Sequence, residues 1–149
     1  MNKRNFRASF YLAVALAIMA LTVAPFAKAQ SRVSDKDVAS LMGNLKDDVK
    51  SFRPKFNDAV HKSSIRKTSK EKDAKNLVER LQKETESMQN QFKKTKKSDT
   101  ELRVVMSTAS QVDELVSSLQ LGHDVNTRWG KIQTELRQIE SAFGIQGQL

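Results

Sequence analysis

The chain has 149 residues with no cysteine, five glycines and two prolines, and its 26 lysines and arginines outnumber 17 acidic residues. The lack of cysteine excludes disulfides, thiolate zinc sites, iron–sulfur clusters and covalently attached c-type haem. The scarcity of turn residues argues against a β-sandwich, a barrel or a glycine-rich phosphate-binding fold. A hydrophobic share of 38% is enough to build a packed core.

The beginning of the chain has the three parts of a secretory signal peptide. Basic residues come first, at Lys3, Arg4 and Arg7. An uncharged apolar run follows over residues 10–23, and Ala27-Lys28-Ala29 then supplies a small-x-small cleavage site. We therefore predict a signal peptide over residues 1–29 and a mature chain over residues 30–149.

An uncleaved membrane anchor is the alternative interpretation of the same segment. Residues 8–26 form a run of 19, and about 20 apolar residues span a bilayer. We favour cleavage because Pro25 and the cleavage site follow the apolar run. An exported chain without disulfides is typical of the bacterial periplasm or exterior, which is the predicted location.

Positive charge is concentrated in one part of the mature chain. Removal of the leader lowers the net charge from +9 to +5, because the leader carries four basic residues and no acid. Residues 61–100 contain 12 basic and six acidic side chains, a local net charge of +6. The rest of the mature chain is close to neutral, so the sequence predicts one basic region.

Apolar side chains recur at alternating steps of three and four through the mature chain. This spacing is that of one face of an α-helix, and no stretch of similar length alternates with period two. We predict an all-α domain with helices over about 35–62, 69–95, 99–120 and 125–143. The four apolar stripes are Val38, Leu41, Leu45, Val49, Phe52, Phe56 and Val60; Ala74, Leu77, Leu81, Thr85, Met88 and Phe92; Leu102, Val105, Ala109, Val112, Val116 and Leu119; and Val125, Trp129, Ile132, Leu136, Ile139 and Phe143.

Polar residues mark the predicted starts of the first three helices. Ser34 can cap the first helix through its hydroxyl group. Thr68 with Glu71, and Ser98 with Glu101, have the spacing of capping boxes, in which the hydroxyl and the carboxylate each accept a backbone N–H. We therefore expect the second and third helices to begin with reciprocal side-chain caps.

Glycines mark the predicted ends of the last two helices. Gly122 lies where the third helix is expected to stop, and Gly144 lies where the fourth is expected to stop. Asp124 or Asn126 is the predicted start of the fourth helix. Residues 146–149 are predicted to form a loose tail.

Short connections between the helices predict an up-down-up-down four-helix bundle, because they require successive helices to be antiparallel. Pro54 lies inside the first predicted helix, where proline removes a hydrogen bond and clashes with the preceding turn. The helix either kinks near Arg53, or breaks so that Ser51 caps a second segment. We expect the kink.

The sequence carries none of three common catalytic motifs: a glycine-rich phosphate loop, a G-x-S-x-G elbow or an H-E-x-x-H pair. His61 and His123 are the only histidines, and both lie near predicted helix ends, where solvated histidine is the ordinary role. Asp47 and Asp48 are adjacent and so point in different directions on a helix. We predict that the protein is not an enzyme and has no catalytic, metal-binding or cofactor-binding residues.

Residues 41–50, LMGNLKDDVK, resemble the first helix of the periplasmic four-helix b-type cytochromes, in which a methionine ligates haem iron. That family also requires an axial histidine in its last helix. Residues 125–143 contain no histidine, and His123 precedes them. We therefore predict that Met42 is a core residue, and that Trp129 likewise packs between helices.

Two further segments resemble uncharacterised exported helical-bundle proteins of bacteria. Residues 56–65 read Phe-x-x-Ala-Val-x-x-Ser-x-Ile, and residues 129–143 read Trp-x-x-Ile-x-x-Glu-Leu-x-x-Ile-x-x-x-Phe. The resemblance covers most of the mature chain. It implies a secreted helical domain and assigns no activity and no functional residues.

Two groups of cations flank the second predicted helix. The connection before this helix is surrounded by basic residues, of which Lys72 and Lys75 follow in the helix itself. The proximal cluster comprises the four predicted contact residues, Lys62, Arg66, Lys67 and Lys70. The distal cluster lies at its far end and comprises Lys93, Lys94, Lys96 and Lys97. Such patches bind anionic lipid headgroups or cell-wall polymers. Nucleic acid is a poor fit, because aromatic residues are scarce, no reading motif is present and the chain carries an export signal.

These features predict an exported, non-enzymatic helical bundle that acts as a binding or structural module at the cell envelope and contacts anionic surfaces through residues 61–100. One alternative is a periplasmic carrier of a small ligand or haem. Another is a chaperone-like protein that presents an apolar face. The simplest alternative is that the lysines form a solvated helix face without a partner.

Overall fold

The computed structural model describes residues 33–145, which form four α-helices and no β-strand. The helices are α1 (Asp35–Lys62), α2 (Ser69–Thr95), α3 (Asp99–Leu119) and α4 (His123–Ala142). The prediction of an all-α domain is confirmed, and the helix ends differ from the predicted ones by two residues at most. The predicted signal peptide and the predicted tail lie outside the described residues.

The start of α1 is capped as the sequence predicts. The backbone N–H of Asp37 donates to Ser34 Oγ over 3.2 Å, which satisfies one of the helix's free N-terminal donors. Asp35 and Asp37 lie in the first turn, where negative charge is favoured by the helix dipole.

The two predicted capping boxes are wrong. Thr68 makes no side-chain cap; its hydroxyl donates to the Ile65 carbonyl oxygen over 2.6 Å. Glu71 accepts a hydrogen bond from the Lys67 N–H, one residue before the expected position. Ser98 also makes no side-chain cap, and its buried hydroxyl has no partner among the described residues. The spacing of residues in the sequence did not reveal which backbone groups these side chains bond.

Helix α1 continues through Pro54, so the alternative of a break at Ser51 is wrong. The Ser51 hydroxyl donates to the Asp48 carbonyl oxygen inside the helix and caps nothing. Proline denies a hydrogen bond to the carbonyl four residues earlier, that of Lys50. Both Pro54 and Lys50 are exposed, so water can serve this carbonyl and the helix tolerates the proline.

The connection between α3 and α4 differs from the prediction. Helix α3 stops one residue early, because Gln120 takes the left-handed conformation (φ +48°) that was expected of Gly122. Gly122 (φ +93°) is instead the N-cap of α4, which begins at His123 rather than at a later polar residue. Gly144 (φ +68°) follows the end of α4 as predicted.

The helices pack as neighbours around one core: α1 contacts α2 and α4, and α3 contacts the same two helices. Along the α1/α2 interface, Gly43 lies beside Gln89, and His61 bonds Glu71. Late residues of α1 thus meet early residues of α2, which is the order of an antiparallel pair. These contacts are consistent with a bundle, and the up-down-up-down order of all four helices stays a prediction.

Most residues of the four predicted apolar stripes are buried in the core. Trp129 is 2% exposed and its ring centroid lies 5.5 Å from that of Phe52, as expected for a residue between helices. Met42 is fully buried, as predicted, and takes the core position expected of Leu41. In α2 the buried residue is Val78, while its neighbour Leu77 is only half-buried. Apolar residues of the stripes are therefore left at the surface of the bundle.

Candidate anion-binding face

The proximal cluster lies on an exposed turn between two helices. Lys62 ends α1, Arg66 and Lys67 belong to the connection 63–68, and Lys70 lies in the first turn of α2. All four side chains are exposed. Lys62 pairs with Asp58 over 2.8 Å, whereas the other three have no ion pair with any residue in the described part of the chain.

Glu71 holds this connection in place. Its carboxylate accepts hydrogen bonds from Lys75 Nζ (2.6 Å) and from the Lys67 backbone N–H (2.6 Å), and it lies 2.8 Å from His61 Nδ1. Hydrogen bonds from Lys75, His61 and the Lys67 backbone lower the pKa of Glu71 to about 2. His61 was predicted to be a solvated histidine; it is exposed, but it is also bound to this buried carboxylate. The proximal cluster therefore projects from a fixed backbone.

The distal cluster is also exposed and free of ion pairs within residues 33–145. Lys93 and Lys94 lie in the last turn of α2, and Lys96 caps the helix in the left-handed conformation (φ +58°). Lys96 Nζ lies 5.6 Å from the centre of the Phe92 ring, within cation–π range. The Lys97 N–H donates to the Thr95 hydroxyl over 3.2 Å, which orders the chain after the helix.

The outer face of α2 connects the two clusters. Its exposed residues include six cations and a single acid, Asp73. Positions 72, 76, 80, 83, 87, 90 and 94 are all exposed and recur every three or four residues, so they share one side of the helix, and Lys70 and Lys93 lie on its two flanks. The exposed cations are Lys70, Lys72, Arg80, Lys83, Lys93 and Lys94. We call this side of α2, together with the two clusters, the basic face.

The other acids of α2 are withdrawn from the basic face. Glu71 is buried, and Glu79, Glu84 and Glu86 are half-buried on the flanks of the helix. Glu79 lies 2.8 Å from Lys83 and 2.8 Å from Arg53 of α1, and Lys83 is the main cause of its lowered pKa. The surface is consequently more basic than the composition of α2 suggests.

Arg80 and Lys83 belong to the basic face and were missing from the predicted site. The predicted site comprised cations at the two ends of the helix and none from its middle. The available signal was their spacing: Arg80 lies four residues after Asn76 and three before Lys83, and Lys83 lies four before Ser87.

A second group of titratable side chains lies at the interface of α1 and α4. Lys131 Nζ is 2.6 Å from Asp48 Oδ2 and 3.9 Å from Glu135 Oε1. Burial, followed by hydrogen bonding and repulsion from Asp48, raises the pKa of Glu135 to about 7. Burial acts to raise the pKa of Asp48 too, but its bonds to Lys131 and Glu135 outweigh this and lower it. A carboxyl pair thus exists, formed by Asp48 with another helix and not with Asp47.

Within residues 33–145, no three or more histidine or acidic side chains are grouped so as to hold a metal ion. The same part of the chain contains no helix that has both the length and the apolar character needed to span a membrane. Comparison of the chain with protein-family models, with curated proteins and with solved structures found no match. The resemblance to exported helical-bundle proteins stays a prediction.

Proposed function

We propose that the protein is an exported, non-enzymatic helical module that contacts anionic surfaces of the bacterial envelope, either lipid or cell-wall polymer. The observation that carries this proposal is the composition of the basic face, on which six exposed cations of α2 are accompanied by one acid. The signal-peptide pattern over residues 1–29 supports the location.

The geometry of the basic face suits an extended anionic partner. The 27 residues of α2 rise about 40 Å, so one small anion cannot bridge the proximal and distal clusters. A membrane surface or a polyanion lying along α2 contacts both clusters at once. Seven of the eight cluster residues have no ion pair within the described residues, so they break no ion pair there when an anion binds.

Binding to vesicles that contain phosphatidylglycerol tests the proposal. Substitution of Lys93, Lys94, Lys96 and Lys97 by glutamine should abolish most of the binding, because each lysine near an anionic membrane contributes about 1 kcal/mol. Wild-type binding should also weaken steeply with salt, since the Debye length falls from about 10 Å at 0.1 M to about 3 Å at 1 M. Co-sedimentation measures the binding, and circular dichroism checks that helicity is retained.

A matched control removes the same charge from other parts of the bundle. Four exposed residues of α1 and α4 that make no ion pair in the described chain are replaced by glutamine: Lys36, Lys50, Lys55 and Arg137. This variant should bind nearly as well as the wild type. Equal loss in both variants means that only net charge matters, and an absence of wild-type binding at low salt means that the basic face is a solvated surface.

A further inference from the structure

An open groove of about 800 Å³ runs between α2 and α3, beside the connection that carries the proximal cluster. A volume of this size lies within the range of small-molecule sites, about 300–1,000 Å³. Four of the side chains that line it are apolar and only half-buried: Ile65, Leu77, Leu115 and Leu119.

These apolar side chains pack against the core without being buried in it. In α2 the core buries Val78, so the adjacent Leu77 is turned toward the groove. In α3 the stripe is buried as far as Val116, and Leu119 at its end is left half-exposed. Covering this surface with hydrocarbon removes it from water, which is favourable.

The free positive charge lies at one end of the groove. Lys70 lines the groove near Ile65, and Arg66 and Lys67 lie between them in the chain. None of these three cations has an ion pair with a described residue. An anionic group at this end of the groove would meet Lys70, the one of the three that lines it.

The rest of the groove does not attract anions. At the far end, Arg80 is engaged already: its Nη2 donates to Gln111 Oε1 over 3.2 Å, and its Nε lies 3.7 Å from Glu84. Asp73, one helical turn after Lys70, and Glu114 of α3 also line the groove. A polyanion lying along the whole groove would therefore be repelled, whereas a ligand with a single charged end would not.

We propose that this groove binds a single-chain amphiphile with an anionic headgroup, such as a lysophospholipid. The acyl chain lies along Leu77, Leu115 and Leu119, and the headgroup lies beside Lys70. From Lys70 to Arg80 the helix rises about 15 Å, which gives the chain an extended path. The inference rests on the proposed function, because it names a lipid class for the same basic region.

Titration calorimetry with lauroyl lysophosphatidylglycerol below its micelle concentration tests this site. Ser118 is exposed and lines the groove, so Ser118→Trp should fill the groove and abolish binding without removing a core contact. The control is Ser107→Trp, at an exposed serine of the same helix outside the groove. Lys70→Gln should weaken binding about fivefold, as expected for one lysine near an anionic headgroup, and Lys36→Gln should not.

The headgroup is tested with lauroyl lysophosphatidylcholine, which should bind more weakly than the anionic lipid and should not respond to Lys70→Gln. Undiminished binding by Ser118→Trp, or equal binding of the two lipids, overturns the inference. If the wild type binds phosphatidylglycerol vesicles but not lysophosphatidylglycerol, this inference alone is overturned. If the wild type binds the lysolipid in the groove but does not bind vesicles, the proposed function alone is overturned.

Discussion

Glu71 and Glu135 occupy similar positions and differ in the sign of their pKa shifts. Each is 8% exposed, and each lies where a neighbouring helix packs against α1. The pKa of Glu71 is lowered to about 2, by its bonds to Lys75 and His61 first of all, whereas burial raises that of Glu135 to about 7. Burial is common to both, so the groups that face the carboxyl decide the direction.

The partners explain the difference. Glu71 faces three donors, from Lys75, His61 and the backbone of Lys67, and each bond favours the charged form. Glu135 lies 3.9 Å from Lys131, which is closer to Asp48, and Asp48 is itself a carboxylate. The buried Oε2 of Glu135 receives no hydrogen bond from any described residue. A proton on Glu135 supplies a hydrogen-bond donor between the carboxyl groups of Glu135 and Asp48, which otherwise have none.

The two shifts predict opposite dependences of stability on pH. Glu71 has a lowered pKa in the folded state, so its stabilisation is present above the ordinary pKa of 4.5 and is lost as pH falls toward 2. Glu135 has a raised pKa, so its stabilisation is present below 4.5 and is lost as pH rises through 7. Acid therefore weakens the α1/α2 contact, and alkali weakens the α1/α4 contact.

The largest effect is expected from the apolar half of the α1/α4 interface, where Trp129 packs on Phe52. Truncation of a buried tryptophan costs about 3–5 kcal/mol, a large share of the 5–15 kcal/mol that stabilises a typical domain. Trp129→Ala should lower the free energy of unfolding by about this amount, as measured by urea denaturation.

The control for Trp129→Ala is Trp129→Phe, which keeps a ring and loses the hydrogen bond from Trp129 Nε1 to Asp113 Oδ1 (2.8 Å). Its effect should be clearly smaller. If Trp129→Ala leaves stability unchanged and abolishes vesicle binding instead, the residue belongs to a site and its assignment to the core is wrong.

The next largest effect is expected from Glu71→Gln, which keeps the shape of the side chain and removes its charge. Its melting temperature should fall by several degrees at pH 7, because Lys75 and His61 lose their common partner. Asp58→Asn, which breaks the exposed pair with Lys62, is the matched control and should change little. The gap between Glu71→Gln and the wild type should narrow toward pH 2; a constant gap would show that the charge of Glu71 is not the cause.

The helices were predictable from the sequence because their determinants are local. Apolar spacing and capping residues predicted both ends of α1 correctly, and Ser34 caps it as expected. The environments of the two glutamates were predictable only in part: Lys75 and Lys131 lie four residues away in the same helix, whereas His61, the Lys67 backbone and Asp48 come from outside it. Asp48 meets Glu135 only when α1 packs on α4, and no spacing within either helix records that contact.

The candidate site was predictable in part. The eight cluster lysines and arginines were found from charge density, and the cations between them required knowledge of which acids are exposed. The groove was not predictable, because Leu77 and Val78 are adjacent and equally apolar. Periodicity cannot decide which of the two faces the core, and the packing of α3 against α2 decides it.

The smallest effect is expected from Glu135→Gln, and its pH dependence distinguishes it from an ordinary packing change. The glutamine amide is neutral and can donate to Asp48, so it imitates the protonated carboxyl. Below pH 6 the variant should therefore match the wild type in free energy of unfolding. Above pH 7 the wild-type carboxylate is ionised beside Asp48, and the variant should become the more stable of the two.

Urea denaturation at pH 5, 6, 7 and 8 measures this divergence between Glu135→Gln and the wild type. Lys131→Gln provides the opposite test, because it removes the cation that compensates both carboxylates. Its stability should fall more steeply than that of the wild type as pH rises from 6 to 8. If the free energies of unfolding of all three proteins change in parallel with pH, Glu135 does not titrate in this range. Glu71 and Glu135 then differ in their hydrogen bonds and not in the direction of their pKa shifts.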